Sequence, residues 1–340
     1  MLKLQEYKIY EFLGKINLKG RSAFVNEWLC LDFTASGFEF SADFNNSDVV
    51  IYADILADEG LIGVVIDGNY DNMYHIPTVR GKQNITIAEK LNGVHTVKMV
   101  KLLEFSRGRF EIKSIAFDGK FQDKPNEKPL KFEFYGDSLT CGYGNLCSTR
   151  NSPAPFGFLE HGYKTWCVLL CEKLGAEMSA VSRSGQGIVT DCTGNPEGTV
   201  EKYWNMAVPS LGIKWDFNYI PDFVFINLCA NDVNYLRFVK GAEMDWNKFK
   251  ANAKRLIDGI REHAPDCKIV FPLGFDNNNE HFDNCVKAYK ELISEENYKD
   301  VVVYDDISCN QLGGDWHPNL DDDVIMYEKL YAHLQKDFKV

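Results

Sequence analysis

The sequence predicts an α/β protein in two parts, an N-terminal β-sandwich followed by a three-layer α/β/α domain with a five-stranded parallel sheet. The first third consists of short alternating apolar runs separated by turn residues, whereas the remainder alternates apolar strands with segments of helical periodicity. Between these parts, residues 118–131 are charged and contain Pro125 and Pro129, which favour extended and weakly paired backbone. We therefore expect domains at residues 1–125 and 130–340.

Short strands are predicted in the N-terminal part, from about residue 9 to residue 117, because β-branched and aromatic residues alternate there with polar ones. Asp67-Gly68 and Asn92-Gly93 lie between such runs and favour hairpin turns. No segment in this part has a helical period. Strands at this spacing are typical of a sandwich or jelly roll. The predicted strands are 38–44, 49–55, 62–66, 85–88 and 96–103.

Strands and helices alternate in the C-terminal part, which predicts a parallel sheet covered on both faces by right-handed crossovers. The third strand is apolar throughout, as a strand buried on both faces requires. The predicted strands are 132–135, 176–181, 223–228, 268–273 and 301–304. The predicted helices are 163–174, 249–263, 282–293 and 321–338.

The composition restricts the classes of partner and of site. The net charge of −12 argues against nucleic acid or an anionic membrane surface as a partner. No apolar run approaches the ~20 residues of a membrane span, and the N-terminal segment lacks the apolar core of a signal peptide. We therefore expect a cytoplasmic protein whose ten cysteines are reduced thiols. With no CxxC pair and seven scattered histidines, neither a metal site nor a cofactor is predicted.

Four polar positions follow the predicted strands of the C-terminal part. The first strand runs into the stretch FEFYGDSLTCGYG (Phe132–Gly144), where Ser138 stands just beyond the strand. Gly185 follows the second strand in SRSGQG, and Asn231 follows the third in NLCAND. His317 lies in GGDWHPN, between the fifth strand and the last helix. Because parallel strands end at one edge of a sheet, we expect these residues to meet there.

Together the four residues supply the groups that cleavage of an ester requires. Ser138 provides a hydroxyl and His317 a base, while the Gly185 amide and the Asn231 carboxamide provide donors for an oxyanion. Alone, Ser138 and Asn231 are also explained as helix caps. Gly185 is equally explained as a turn glycine, and His317 as a surface loop residue. The combination in this order on one sheet predicts a serine hydrolase.

The same residues carry a family resemblance that covers essentially the whole chain. GDSL followed by glycine, asparagine and histidine in this order resembles the SGNH (GDSL) hydrolase superfamily. The longer form GDSLTCGYG with a preceding β domain resembles carbohydrate esterase family 2, whose members remove acetyl groups from xylan and related sugars. The segment GRSAF (Gly20–Phe24) and the run to Gly119 are similar to the family's jelly-roll domain.

The resemblance implies a role for each matching residue. It implies that Ser138 is the nucleophile and His317 the general base. It also implies an oxyanion hole formed by Gly185, Asn231 and the Ser138 amide.

Two departures from the superfamily pattern concern the third block and the acid. Cys229 stands where the block Gly-x-Asn-Asp usually has glycine, and Gly314 stands where the acid usually precedes His317 by three residues. The aspartate here is Asp315, two residues before the histidine. The resemblance to family 2 implies a Ser–His dyad whose imidazole is oriented by a backbone carbonyl. A role for the Asp315 carboxylate stays open, but that side chain would have to curl around the ring to reach Nδ1.

Aromatic residues near these positions are candidates for substrate binding. Trp316 is predicted to serve as a platform for a sugar ring, and packing of its own loop is the alternative. Tyr143 and residues 145–162 are predicted to form the rim of the site.

The leading prediction is a carboxylic ester hydrolase that removes O-acetyl groups from acetylated xylan-derived oligosaccharides or related sugars. The partner is then an acetylated oligosaccharide, and a homo-oligomer is compatible with this reading. One alternative is a short-chain acylhydrolase, lipase or thioesterase on the same core. Another is a carbohydrate-binding protein whose hydrolase half is vestigial.

Overall fold

An antiparallel sheet and a parallel sheet divide the chain into two units in the computed structural model, which describes residues 4–152, 157–274 and 279–340. One unit contains Met1–Glu127 and Ala207–Trp215; the other contains Lys128–Met206 and Asp216–Val340. The predicted fold class is confirmed, since an antiparallel β domain precedes a domain with a five-stranded parallel sheet.

The strands and helices are numbered in chain order. The first ten strands are β1 Gln5–Lys8, β2 Ile16–Lys19, β3 Ala23–Val25, β4 Trp28–Leu31, β5 Gly37–Leu56, β6 Gly60–Ile66, β7 Tyr74–Thr78, β8 Gly81–Lys101, β9 Arg109–Phe117 and β10 Gly119–Phe121. The remaining elements are β11 Leu130–Gly136, α1 Ser138–Cys141, α2 Trp166–Leu174, β12 Ala176–Ser182, β13 Met206–Val208, β14 Ile213–Lys214, β15 Phe223–Asn227, α3 Ala230–Phe238, α4 Trp246–His263, β16 Lys268–Pro272, α5 Glu280–Glu295, β17 Val301–Tyr304 and α6 Leu320–Phe338. Single turns of 3₁₀ helix occur at Ile9–Phe12, Tyr70–Asn72, Phe105–Arg107, Gly157–Leu159, Pro196–Gly198, Val200–Lys202, Pro209–Leu211 and Gly314–Trp316.

Two long strands, β5 and β8, organise the first unit. The predicted hairpin at Asn92-Gly93 is wrong, because β8 runs through these residues and Gly93 pairs with Phe44 of β5. Lys90 and Gly93 have positive φ of 53° and 86°, but the β5–β8 ladder continues past them through register shifts between Phe44 and Val50. A bulge can bend a strand in this way without ending it. The runs predicted as separate strands therefore merge.

The core of the first unit follows the alternation of β5. Phe38, Phe40, Ala42 and Phe44 all point inward and are buried, while the residues between them are more exposed. Phe40 and Phe44 both contact the ring of Phe117 from β9. Burial of each such aromatic side chain contributes about 1.5–3 kcal/mol.

The five strands of the second unit lie in the order β12-β11-β15-β16-β17, and all neighbouring pairs are parallel. Helix α2 packs against α6, and α3 and α4 pack against α5. Strand β11 has a neighbour on each side, so that its last residue, Gly136, pairs with both Ser182 and Asn227. The ends of these three strands therefore lie side by side at one edge of the sheet.

Helices α2 and α4 start at other residues than predicted, because the residue before each helix determines where it begins. Helix α2 starts at Trp166 rather than at residue 163, because Thr165 is extended. Helix α4 starts at Trp246, three residues earlier than predicted, because the Asp245 side chain accepts the first free amides. The prediction omitted α3, whose sequence ANDVNYLRF lacks a continuous apolar stripe.

Residues Ala207–Trp215 belong to the first unit although they follow β12 in the sequence. The side chain of Asp32, which is fully buried, accepts hydrogen bonds from the Ser210 amide at 2.8 Å and its hydroxyl at 3.0 Å. Val208 packs with Cys30 in a small apolar cluster. These contacts attach the segment to β4 and to the residues that follow it. No sequence pattern predicted this attachment.

None of the helices in the described part of the chain has the length and apolar character that crossing a membrane requires.

We expect Asp32→Ala to lower the free energy of unfolding by about 1–3 kcal/mol, because it removes both hydrogen bonds that the buried carboxylate accepts from Ser210. Urea denaturation followed by tryptophan fluorescence measures the change. The control is Asp58→Ala, which removes an exposed ion pair to Arg80 and should cost at most ~1 kcal/mol. Equal effects of the two substitutions would contradict the proposed importance of Asp32.

Candidate active site

Ser138 lies at the tight junction between β11 and the short helix α1. Asp137 caps this helix by accepting the Leu139 amide at 3.0 Å. Gly136 permits the close turn, because a Cβ at this position would overlap the Thr140 hydroxyl. Ser138 is 8% exposed. The junction therefore presents its hydroxyl at the edge of the sheet.

The Ser138 hydroxyl meets the imidazole of His317, although 179 residues separate them in the sequence. Ser138 Oγ and His317 Nε2 are 2.8 Å apart. His317 has an extended backbone, with φ −89° and ψ 172°, as expected before Pro318. The Tyr143 ring lies against the imidazole, with 4.8 Å between the ring centroids. A hydroxyl at this distance can transfer its proton to an unprotonated Nε2.

The other imidazole nitrogen faces the backbone of its own loop. His317 Nδ1 lies 2.9 Å from the Asp315 carbonyl oxygen. This geometry depends on left-handed backbone at two consecutive residues, Asp315 with φ 52° and Trp316 with φ 61°. Such conformations cost on the order of 1–3 kcal/mol each for residues with a side chain. Gly314, which stands where the superfamily has its acid, donates its amide to the Gly144 carbonyl at 3.0 Å.

Two backbone amides beside the hydroxyl are suited to bind an oxyanion. Gly185 has a φ of 83°, a conformation that favours glycine, and it lines the same cavity as Ser138. Within residues 4–152, 157–274 and 279–340, the amides of Ser138 and Gly185 have no protein acceptor. They are therefore available to a ligand atom that carries negative charge.

Asn231 lies in the first turn of α3 and lines the cavity. Its side-chain NH₂ group is also hydrogen-bonded to two acceptors of the protein. Its Nδ2 donates to Asp137 Oδ2 at 3.1 Å and to the Gln186 carbonyl at 3.0 Å. Gln186 in turn donates to the Gly136 carbonyl at 3.0 Å. These bonds connect the ends of the first three strands of the site and fix the position of the Asn231 side chain.

Two buried carboxyl groups, Asp137 and Asp232, lie behind the site. Burial raises the pKa of Asp137 to about 7, and hydrogen bonds from the Leu139 amide and Asn231 oppose this effect. Burial also raises the pKa of Asp232 to about 6, against three backbone hydrogen bonds. Those bonds come from the amides of residues 188–190, at 2.8, 2.8 and 3.3 Å. Both groups hold parts of the site, and sequence reasoning assigned neither of them a role.

The seven residues that the sequence singled out individually line one cavity of about 950 Å³. Of the predicted rim at 145–162, residues 153–156 lie outside the described part of the chain, and none of the others is among the lining residues. Trp316 is 51% exposed, and the guanidinium carbon of Arg150 lies 4.4 Å from the centre of its ring. Phe238, at the end of α3, is 67% exposed. The other lining residues were not predicted: Leu139, Ser184, Cys192, Ala230, Asn234, Arg237, Phe238 and Gln311.

Among the described residues, no group of three or more histidine, cysteine, aspartate or glutamate side chains is arranged to hold a metal ion. None of the ten cysteines, all of which lie in the described residues, forms a disulfide.

Two family models match the chain. The model described as GDSL-like Lipase/Acylhydrolase family matches residues 134–335, which is more than half of the chain. The model described as Carbohydrate esterase 2 N-terminal matches residues 19–125.

The chain is similar to two proteins of described activity and to solved structures. It is 27% identical over 288 residues to the cellulase/esterase CelE of Acetivibrio thermocellus, covering 82% of this chain and 34% of that protein. The chain thus spans about a third of the length of this relative. It is 23% identical over 306 residues to the acetylxylan esterase / glucomannan deacetylase of Cellvibrio japonicus, covering 82% and 79%.

A family two carbohydrate esterase from Clostridium thermocellum, solved in complex with cellohexaose, has a similar structure. The TM-score is 0.83 at 24% identity, over 95% of this chain and 99% of that chain. At this identity the similarity concerns the fold.

We expect an alkyl fluorophosphonate to label Ser138, because His317 can accept the hydroxyl proton while the oxygen displaces fluoride from phosphorus. Peptide mapping by mass spectrometry identifies the labelled residue. The His317→Ala variant should react at least ~10²-fold more slowly, since the base is lost.

Ser184→Ala is the matched control, because Ser184 lines the same cavity and should not be the labelled group. Labelling of His317→Ala at the wild-type rate would contradict activation of Ser138 by the imidazole.

Proposed function

The chain belongs to the GDSL-like lipase/acylhydrolase family, and on that premise we propose that it is a serine esterase. Its substrates are acetylated xylan-derived oligosaccharides or related sugars, from which it removes O-acetyl groups. The contact of 2.8 Å between Ser138 Oγ and His317 Nε2 carries this proposal. The available amides of Ser138 and Gly185 in the same cavity support it.

The first half of the proposed reaction transfers the acetyl group to Ser138. His317 Nε2 takes the hydroxyl proton while Oγ bonds to the ester carbonyl carbon, whose oxygen becomes an oxyanion. The Ser138 and Gly185 amides stabilise this charge. The Asn231 carboxamide becomes the third donor by turning one of its two N–H groups from Asp137 or the Gln186 carbonyl to the oxyanion. The C–O bond to the sugar then breaks, and the sugar oxygen takes the proton from His317.

The second half releases acetate and restores the enzyme. A water molecule gives a proton to His317 Nε2 and attacks the acetyl carbon on Ser138. As this tetrahedral intermediate collapses, the carbon–Oγ bond breaks and His317 Nε2 returns the proton to Oγ; the product is acetic acid, which ionises to acetate in water. Ser138 and His317 then have the protonation states with which they began, and acetate leaves.

We propose that Ser138 and His317 act as a dyad in which the Asp315 carbonyl orients the imidazole. With Nδ1–H donated to this carbonyl, Nε2 carries the lone pair that accepts the Ser138 proton. A carbonyl provides this orientation without the full charge of a carboxylate. The distance of 2.9 Å between Nδ1 and the Asp315 oxygen supports this role.

The walls of the cavity suit a sugar leaving group. We propose that Trp316 stacks on a sugar ring and that Tyr143, which packs against the His317 imidazole, forms the wall of the substrate site on that side. Trp316 is half exposed beside Asn234 and Gln311, which supply hydrogen-bonding groups for hydroxyls. The names of the similar proteins, which include an acetylxylan esterase, support acetylated polysaccharide fragments as substrates. The cytoplasmic location and a homo-oligomer remain predictions.

The substrate proposal predicts release of acetate from acetylated xylo-oligosaccharides, with Ser138→Ala as the inactive control. On p-nitrophenyl esters, octanoate should be hydrolysed at least tenfold less efficiently than acetate, because the site is proposed to bind a short acyl group. Faster turnover of octanoate would favour a lipase. Binding of the oligosaccharide without hydrolysis of any ester would favour the carbohydrate-binding alternative.

Asp315→Ala distinguishes orientation of His317 by the Asp315 backbone carbonyl from orientation by its side-chain carboxylate. If the carbonyl orients His317, the substitution retains that oxygen and should lower kcat/KM by about tenfold or less. Loss of a triad carboxylate lowers the rate by about 10⁴-fold. Steady-state kinetics on one acetyl ester, with His317→Ala measured in parallel, distinguish these values. A loss as large as that of His317→Ala would exclude the dyad.

Trp316→Ala should raise KM for an acetylated oligosaccharide by about 2–10-fold, because a stacked ring contributes on the order of 0.5–1.5 kcal/mol of binding energy. The kcat for p-nitrophenyl acetate serves as the control and should change little, since that ester has no sugar. An unchanged KM for the oligosaccharide would contradict stacking and favour the alternative, in which Trp316 packs against its own loop.

A further inference from the structure

The loop that bears His317 is held on both sides of the histidine by one buried carboxylate. Asp322 lies in the first turn of α6 and is fully buried. Its Oδ1 accepts the Asn310 amide at 2.8 Å. Its Oδ2 accepts the amides of Leu312 at 2.7 Å and of Asn319 at 3.2 Å. The carboxylate thus connects both arms of the loop to the start of the helix.

Further hydrogen bonds within the loop, and between the loop and the start of α6, accompany those of the Asp322 carboxylate. The Asp322 amide donates to the Asn319 side chain at 2.9 Å, which completes a capping box. The Gly313 amide donates to the His317 carbonyl at 2.8 Å, and the His317 amide donates to the Gly314 carbonyl at 3.1 Å. A helix cap alone would explain the bonds between Asp322 and Asn319. It would not explain why the same carboxylate also accepts amides before the histidine.

The position of the loop matters because the imidazole and its Nδ1 acceptor, the Asp315 carbonyl, both belong to it. In a Ser–His–Asp triad, a carboxylate holds the imidazole from outside in its orientation and tautomer. Here a shift of the loop moves the ring and its acceptor together, away from Ser138. The left-handed residues Asp315 and Trp316 also require a loop that is held firmly.

We propose that Asp322 is the positioning residue of this dyad. It does not touch the imidazole or the substrate, but it fixes the loop so that His317 Nε2 stays opposite Ser138 Oγ. The proposal rests on the proposed Ser138–His317 chemistry and adds the group that maintains its geometry.

A carboxylate suits this role because it presents two oxygens that only accept hydrogen bonds. An asparagine of the same shape would replace one oxygen with an NH₂ group. In either orientation of the amide, that NH₂ would face at least one backbone N–H. Asp322→Asn therefore disturbs the attachment without changing the volume of the side chain.

The experiment compares Asp322→Asn with Asp321→Asn. Asp321 is exposed in the same helical turn, so the control removes the same charge at the same helix end. Activity on p-nitrophenyl acetate gives kcat and KM, and the rate of fluorophosphonate labelling of Ser138 is measured separately. Urea denaturation reports the folded fraction of each protein.

For Asp322→Asn we expect kcat and the labelling rate to fall by about 10–10²-fold, the effect of misplacing a catalytic group by roughly 1 Å. KM should stay within about twofold, since the sugar and ester contacts are retained, and Asp321→Asn should behave as wild type. In the His317→Ala background, Asp322→Asn should not slow labelling further, because residues that act through one another are not additive.

A folded Asp322→Asn protein with wild-type kcat and labelling rate would overturn the proposal. An equal loss in the wild-type and His317→Ala backgrounds would overturn it too, because it would indicate a general structural role. If Asp322→Asn does not fold, Asp322→Glu is measured instead, because its longer side chain displaces the carboxylate. A wild-type kcat and labelling rate of the Asp322→Glu protein would then contradict the proposal. The labelling readout needs no ester turnover, so a wild-type protein without esterase activity refutes the proposed function and still tests Asp322.

Discussion

The hydrogen bond between Ser138 Oγ and His317 Nε2, 2.8 Å long, is the interaction on which the site depends. It joins the end of the first strand of the parallel sheet to the loop after the last. Because all five strands run in one direction, the residues that follow them gather at one edge. Gly136 pairs with the final residues of both neighbouring strands, which brings the donor groups after those strands beside the hydroxyl.

Buried carboxylates maintain this arrangement by accepting N–H groups. Asp137 holds Asn231, Asp232 holds the amides of residues 188–190, and Asp322 holds the loop of the histidine. Burial disfavours a charged carboxylate and raises the pKa of Asp137 and Asp232, while the donated hydrogen bonds offset part of that effect. The buried carboxyl groups of this site therefore hold the surrounding backbone and the Asn231 side chain, whereas a carbonyl faces the imidazole.

Much of this architecture could be predicted because it depends on local patterns. The alternation of strands and helices indicated the parallel sheet, and the strand ends indicated Ser138, Gly185 and Asn231. The resemblance to carbohydrate esterase family 2 is confirmed by the family models that match residues 19–125 and 134–335. The roles of the individual residues stay predictions, although all of them line one cavity.

The features that escaped prediction depend on contacts between distant residues. Asn92-Gly93 has the composition of a hairpin turn, but β8 continues through it because register shifts between β5 and β8 accommodate the irregular residues. The attachment of Ala207–Trp215 to the first unit depends on hydrogen bonds from Ser210 to the buried carboxylate of Asp32, which no local pattern encodes. Asp322 resembled an ordinary acidic residue at a helix start. Its bonds to the other arm of the loop appear only when the chain is folded.

The tautomer of His317 tests the central claim most directly, because a dyad held by a carbonyl requires Nδ1–H and a bare Nε2. Nitrogen–proton correlation NMR of the histidine-labelled protein, assigned with His317→Ala, measures it above the pH at which the ring is protonated. We predict the Nδ1–H tautomer, with its proton donated to the Asp315 carbonyl. A neutral ring with its proton on Nε2 could not accept from Ser138 and would contradict the account.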